Sequence, residues 1–560
     1  MNELTINDWR QRHSHDVGIL EIIDCDTFFP TSEDLVNKLR SLFRESYTDN
    51  QKIVFYITKD YYQQQPAGLM LQAIQRMVNY IDISNFFIHL VTTNPDIEEE
   101  YSWVLSNIST DPVPFNITRL AGEFSKVLDH DKESFLVSGA VRKPMDLDVL
   151  SDRHRDLLFK SKTFCILPWV SMFVRPNSDV TVCCKTRESQ GDCSKKTLTE
   201  IWNDKPMRQL RLEMLNNKKI DSCNKCYDAE EGVASDRLSQ RRQSLAEYAH
   251  LIKLVDQTSK DGYLPDAPIT WLTVKINNLC NQSCRMCNPT LSSSWHKPAV
   301  ALGLLPRGSK PLLIAGKNQK DMLSQIMEHL ETLQQISFEG GEPLIIKEFW
   351  TILEKLDQLK RYDIALHYST NLTRSRLKDR SIFDLWKKFD KVYVSASLDA
   401  EGSRGEYLRP GAEWGDVVNF RKEMIEKSPN VFFEIKPVLT ILNALHIPDF
   451  HRSWVHQGLI SPSSLQIQFL TAPHYLNART APDHLRHQII EKYTRHLEWL
   501  MPLDSWGKAT SSLQSAIKFV SSPLDFDSKL FKEEISKLDH YYDVNLLAVF
   551  PELQSLDLSE

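Results

Sequence analysis

Residues 271–289 read Trp-Leu-Thr-Val-Lys-Ile-Asn-Asn-Leu-Cys-Asn-Gln-Ser-Cys-Arg-Met-Cys-Asn-Pro, which places cysteines at 280, 284 and 287. The apolar run over 269–276 is a strand signal, and the three thiols follow on the loop behind it. A regular pattern extends from this strand toward the C-terminus. Strand-like runs fall at 269–276, 334–338, 363–368, 391–396, 431–438 and 465–470, with helical periodicity near 322–333, 349–359, 382–389, 417–425 and 448–456. Repeated strand–helix units imply an α/β fold with a parallel sheet and right-handed crossovers. Six units make a partial (β/α)6, TIM-like barrel. The chemistry of parallel barrels collects at the C-terminal ends of the strands, which is where this cysteine loop is expected.

Three thiolates on one loop can hold three irons of a [4Fe–4S] cluster and leave the fourth iron open, because no fourth cysteine is nearby. An open iron can bind S-adenosylmethionine (SAM) through its amino and carboxylate groups, and an electron from the cluster can then cleave the sulfonium. A zinc site made of the three cysteines and His296 is an alternative reading, and a chance run of buried cysteines is another.

The other strand ends add to this. The second run ends in Glu339-Gly340-Gly341-Glu342-Pro343, the third in Ser369-Thr370-Asn371, and the fourth in Ser395-Ala396-Ser397-Leu398-Asp399, with Arg409 a few residues on. In this order the segments resemble the radical SAM superfamily, whose cysteine motif has the same spacing. The resemblance implies that Cys280, Cys284 and Cys287 bind the cluster. It also implies that Gly340, Gly341, Glu342 and Pro343 receive the SAM amino group, with Glu342 supplying a charge-assisted hydrogen bond. Thr370, Asn371, Ser395 and Ser397 would surround the ribose and methionine carboxylate, and Arg409 would bind that carboxylate.

Upstream lies a second group of cysteines. Cys165 precedes Ile-Leu-Pro-Trp, Cys183 and Cys184 follow Asp-Val-Thr-Val, Ile201-Trp202-Asn203 lies between, and Cys223-x-x-Cys226 closes the segment. A C-x2-C knuckle chelates one metal centre, and Cys165 with one of Cys183 or Cys184 would complete four thiolates. This segment resembles the twitch/SPASM auxiliary-cluster domain of radical SAM proteins, which implies a second iron–sulfur cluster. A structural zinc, or no metal, are the other readings. In many relatives this module follows the barrel, whereas here it precedes it. Cys193 sits where the pattern has an apolar residue and is not assigned.

The sequence as a whole bounds these readings. At 560 residues, 41% hydrophobic and 25% charged, the chain has the composition of a globular protein of several domains. The divisions expected are an N-terminal α/β domain over 1–130, the cysteine domain over 160–234, the barrel over 265–482 and a helical extension over 483–560. The N-terminal part shows strand-like runs at 18–23, 52–57 and 86–91 and a helical pattern near 69–80, with no glycine-rich phosphate fingerprint. A net charge of -7 argues against nucleic acid as partner, and Arg237, Arg241 and Arg242 are expected to form a solvated helix face. No targeting or membrane-spanning segment is read, so a cytoplasmic protein is expected. The function expected is reductive cleavage of SAM to a 5′-deoxyadenosyl radical that abstracts hydrogen from a substrate. The implied partners are SAM, a reductant such as flavodoxin or ferredoxin, and a peptide or protein substrate. Action on a small molecule or sugar is an alternative, as is a non-catalytic, metal-stabilised binding or regulatory protein.

Overall fold

The computed structural model describes residues 150–231, 240–265, 268–501, 503–504 and 508–556, and four strands of the preceding segment. The chain divides into two compact units, one comprising residues 1–136, 140–161 and 242–253, the other 137–139, 162–241 and 254–560. In the first unit, β1 (Ile19–Asp24), β2 (Lys52–Ile57), β3 (Phe87–Thr92) and β4 (Phe115–Arg119) form a parallel sheet in sequential order. The first three were predicted. The fourth follows Pro112 and Pro114, which make the segment read as a loop. The predicted helix near 69–80 and Arg237 lie outside the described residues.

The second unit is organised around one sheet. Its strands are β5 (Ser171–Val174), β6 (Asp179–Thr181), β7 (Gly191–Asp192), β8 (Trp271–Val274), β9 (Gln335–Phe338) and β10 (Ala365–Thr370). After a small hairpin, β11 (Arg376–Leu377) with β12 (Arg380–Ser381), come β13 (Lys391–Ala396) and β14 (Val431–Ile435). The spatial order is β14-β13-β10-β9-β8-β5-β6-β7. From β14 to β5 every pairing is parallel, while β6 and β7 return antiparallel. The sixth barrel strand is vestigial. Ile435 bridges Leu465, and β15 (Val438–Leu439) pairs with β16 (Gln468–Phe469). The predicted single run over 431–438 is split at Pro437, which has no N–H to give to a ladder.

Side-chain alternation gives the barrel sheet two faces. Ile336, Phe338, Leu366, Tyr368, Val392 and Val394 are buried toward the helices. The helices on that face include α5 (Lys347–Gln358), α6 (Ile382–Trp386) and α8 (Trp414–Lys427). Phe338 meets Phe349 of α5 at 4.9 Å between ring centres, Tyr368 meets Trp386 of α6 at 5.0 Å, and Phe383 meets Phe420 of α8 at 5.2 Å. On the concave face His367, Tyr393 and Phe432 stack across three neighbouring strands at 4.6 and 5.1 Å. One layer further toward the strand ends, that face turns polar. Lys275 pairs with Glu339 at 3.3 Å, and Ser395 donates to Glu434, which also pairs with Lys436 and Lys508.

The cysteine segment begins with β5–β7 and continues through α1 (Leu198–Trp202), α2 (Lys205–Leu215) and α3 (Asn224–Glu231). α1 starts at a capping box in which Thr197 accepts from the Glu200 N–H and Glu200 reaches back to Thr197. Arg211 of α2 is fully buried and donates to Pro168 O, Trp202 O and the Asn203 side chain, which ties the Ile-Trp-Asn element to the Pro-Trp turn. Beyond the barrel the predicted helical extension contains α10 (Asp483–Leu500), α11 (Lys508–Val520) and α12 (Ser528–Tyr542). Among the described residues, no helix is long and apolar enough to cross a membrane.

Candidate iron–sulfur and SAM site

The loop after β8 is pinned by its own backbone and by the serines that follow it. The Ser293 side chain accepts from Cys280 N, Ser294 donates to Cys280 O, and Ser292 donates to Gln282 O. The Trp295 indole donates to Cys284 O at 2.8 Å. The serine run 292–294, which has no meaning as a composition, is therefore a set of caps for loop carbonyls and an amide that have no ladder to join. The thiols of Cys280, Cys284 and Cys287 lie within one another's fields, and burial raises all three above the usual thiol range, Cys280 to about 11 and Cys287 to about 12. Such thiols are protonated without a metal, and an iron cluster's positive charge would deprotonate them. His296 points its Nε2 at Ser309, 2.8 Å from the carbonyl, so it joins no cysteine site.

The Gly-Gly-Glu-Pro turn after β9 packs directly on this loop. Gly341 has φ +50°, and a Cβ there would lie 1.9 Å from Leu279 O. Gly340 has φ +84°, and its Cβ would meet Lys275. Only glycine permits both the conformation and the approach. The next amide, Glu342 N, donates to Leu279 O at 2.8 Å.

The Glu342 carboxylate is almost wholly buried. It accepts from Leu344 N at 3.0 Å, the Thr370 hydroxyl at 2.6 Å and Asn371 N at 2.7 Å. Burial raises its pKa and these bonds oppose the rise. Glu342 thus joins the ends of β9 and β10, with three hydrogen bonds already made inside the protein. Thr370 is turned toward it, and Asn371 donates from Nδ2 to Asn281 of the cysteine loop at 2.9 Å. Pro343 starts the single helical turn Pro343–Ile345.

The end of β13 and the segment behind it complete the ring. Ser397 N donates to Thr370 O at 2.8 Å. Ser395 lies deeper on the concave face, bonded to Glu434 at 2.8 Å. Burial would raise the Glu434 pKa, and Lys436 and Lys508 instead hold that carboxylate well below its usual range. Arg409 follows α7 (Gly402–Leu408); it is buried, pairs with Asp399 at 2.7 Å and donates from Nη1 to Cys284 Sγ at 3.4 Å. Burial works against the guanidinium charge, and Asp399 together with the neighbouring cysteines more than offsets it. Two ladder-like bonds, Ser283 N to Pro410 O and Arg285 N to Leu408 O, strap the cysteine loop to the same segment.

The upstream cysteines gather around a separate pocket. Cys165, Cys183, Cys223 and Cys226 line it together with Tyr227 and Arg241. Burial raises their thiols, Cys183 to about 12 and Cys223 to about 11. Cys184 is not part of the lining; it is exposed and lies in the field of Glu339 and Lys275 on the concave face. Cys193 is buried with its Sγ 4.0 Å from Met322 Sδ. Arg241, expected on a solvated face, is buried instead. It pairs with Glu230 and donates to Phe164 O at 2.9 Å. Thiols set around a cavity are the donor arrangement for a multi-iron cluster.

Residues 165–227 match the family model of SPASM, an iron–sulfur cluster-binding domain. Among solved structures, hexahistidine-tagged anSMEcpe with bound AdoMet is 18% identical, with 47% of this chain and 62% of that chain covered at a TM-score of 0.29. SuiB of Streptococcus suis bound to S-adenosylmethionine is 16% identical, with 52% and 62% covered at a TM-score of 0.30. The chain therefore spans less than two thirds of the length of either. No curated protein matches.

Proposed function

We propose that this protein is a radical SAM enzyme with a SPASM-type auxiliary cluster. Cys280, Cys284 and Cys287 would hold a [4Fe–4S] cluster with one open iron, and Cys165, Cys183, Cys223 and Cys226 a second cluster. When bound, such a cluster would supply the electron for reductive cleavage of SAM to a 5′-deoxyadenosyl radical, which would abstract hydrogen from the substrate. The observation that carries this reading is convergence. The ends of β8, β9, β10 and β13 come to one ring, in which Gly341 abuts Leu279, Glu342 joins Thr370 and Asn371, and Arg409 meets Cys284.

In this reading the backbone of Gly340 and Gly341, free of Cβ atoms, is the surface that receives the SAM amino group. Glu342 sets the shape of that turn, and its Oε2, which accepts from Asn371 N alone, keeps acceptor capacity for the SAM amino group. Arg409 screens the thiolate of Cys284 and fixes the strap behind the loop. Ser397 stays at the rim, and Ser395 belongs to the concave face below. The polar layer of Lys275, Glu339, Glu434, Lys436 and Lys508 fits a hydrogen-bonding substrate, and a peptide or protein segment is the class we adopt. A flavodoxin or ferredoxin would supply the electron.

The test is anaerobic reconstitution with iron and sulfide, followed by SAM, dithionite and measurement of 5′-deoxyadenosine. Product formed by the wild-type chain and lost in Cys280→Ala supports the assignment. A cluster-loaded wild-type protein that neither binds nor cleaves SAM refutes it.

A further inference from the structure

The C-terminal extension carries no motif, yet α12 lies against the cysteine loop. Asp539 Oδ1 accepts from Arg285 Nη2 at 2.6 Å and from the Tyr407 hydroxyl at 2.8 Å, while Oδ2 accepts from Leu546 N at 2.7 Å. Arg285 is the residue after Cys284. Its side chain is fully buried, its Nε donates to Tyr407 O at 2.9 Å, and its guanidinium lies 3.7 Å from the Tyr407 ring centre. One turn on, the Tyr542 hydroxyl donates to Ser283 Oγ at 2.7 Å. Leu538 packs with Trp295 and Ala299, and Cys287 and Tyr542 pack against them. One helix therefore touches the residues on both sides of Cys284 and supports the segment that leads into Arg409.

A buried guanidinium beside a cluster ligand needs a counter-charge. Uncompensated, it would favour the cluster's reduced state and make that cluster a weaker reductant. We infer that Asp539 is a positioning residue of the radical SAM site, holding Arg285 and Tyr407 and neutralising Arg285 so that the cluster on Cys280, Cys284 and Cys287 keeps a low potential. This rests on the function proposed above.

The experiment is an EPR-monitored redox titration of the full-length, reconstituted protein, with and without SAM. Asp539→Asn keeps an acceptor and removes the charge. Its SAM-binding cluster should titrate at a higher potential than wild type, with unchanged iron content. Glu533→Gln, an exposed change on the same helix, should match wild type. Arg285→Gln should shift the potential the opposite way, and the Asp539→Asn/Arg285→Gln double variant should return toward wild type. If Asp539→Asn fails to hold its cluster, the double variant measured against Arg285→Gln decides the matter: a higher potential in the double supports the charge of Asp539, and an equal one refutes it. Potentials unchanged in both single variants overturn the role of Asp539 and leave the enzyme assignment standing. A wild-type cluster whose reduced signal does not respond to SAM overturns the enzyme assignment instead.

Discussion

Gly341→Ala is the sharpest perturbation of the ring that joins the strand ends. At φ +50°, an alanine carries a left-handed penalty of ~1–2 kcal/mol. Its Cβ would also stand 1.9 Å from Leu279 O, where ordinary contact begins at 3.4 Å, so one of the two segments must retreat by about 1.5 Å. That retreat breaks the bond from Glu342 N to Leu279 O, worth ~1 kcal/mol. The sum is ~2–3 kcal/mol, localised between the Gly-Gly-Glu turn and the cysteine loop. Gly303→Ala is the control, because Gly303 has φ +73° and nothing within 4 Å of its Cβ position, so it carries the backbone penalty alone. Anaerobic thermal unfolding, iron content and SAM binding by equilibrium dialysis should all place Gly341→Ala below Gly303→Ala. A Gly341→Ala protein with the unfolding temperature, iron content and SAM affinity of Gly303→Ala would refute the contact that unites the motifs.

Three further outcomes are expected. Cys183→Ser and Cys223→Ser should each lose about half of the reconstituted iron, whereas Cys184→Ser should keep it; iron lost equally from the Cys183 and Cys184 variants would contradict the pocket's lining. Arg211→Met should destabilise the cysteine domain by ~3 kcal/mol or more, because it leaves the carbonyls of Pro168 and Trp202 unpaired in the interior, and chemical denaturation reads this directly. His451 of α9 (Ile447–His456) and His496 of α10 are buried and hydrogen-bonded to each other, and burial lowers them to about 4 and about 3. A histidine depressed in the folded state takes up its proton first in the unfolded chain, so stability is lost as pH falls below about 6.5, by ~1.4 kcal/mol per pH unit for each group. The fall should be shallower in His496→Gln, and an identical acid slope in that variant would count against the pair.

Local signals carried well where a residue's role depends on its near neighbours. The apolar runs located β9, β10 and β13 to within two residues, because a parallel strand covered by helices must bury its outward side chains whatever the loops do. The positions of the three cysteines and the two glycines were legible because each follows a strand end, whereas Arg409 stands behind α7, and its contacts with Asp399 and Cys284 gave no sequence signal. The role of Glu342 was legible only in part, since the sequence shows a carboxylate beside a candidate ligand but not the Thr370 hydroxyl and Asn371 amide that engage it. Arg241 read as surface because its neighbours are polar, and its partner Glu230 lies 11 residues away across a segment with no periodic signal. Asp539 was invisible, since the contact that gives it meaning spans 254 residues.

The order of modules along the chain proves separable from their order in space. The cysteine segment precedes the barrel strands, and it joins their sheet by strand pairing. β5 enters the sheet beside β8, parallel and in register from Ser171 against Trp271 to Val174 against Val274. The first barrel strand then has no open edge, which removes a row of unpaired amides and carbonyls. The same pairing puts Phe173 beneath Lys275, with the ammonium 5.3 Å from the ring centre. It also brings the Cys183-Cys184 step between the auxiliary pocket and the concave face, one thiol lining the pocket and the next in the field of Lys275 and Glu339. At the other end of the chain, α12 reaches the cysteine loop from outside the barrel. The loop that would carry the chemistry is thus clamped by the Gly-Gly turn, by the Leu408–Pro410 strap and by Asp539, three segments that the sequence holds far apart.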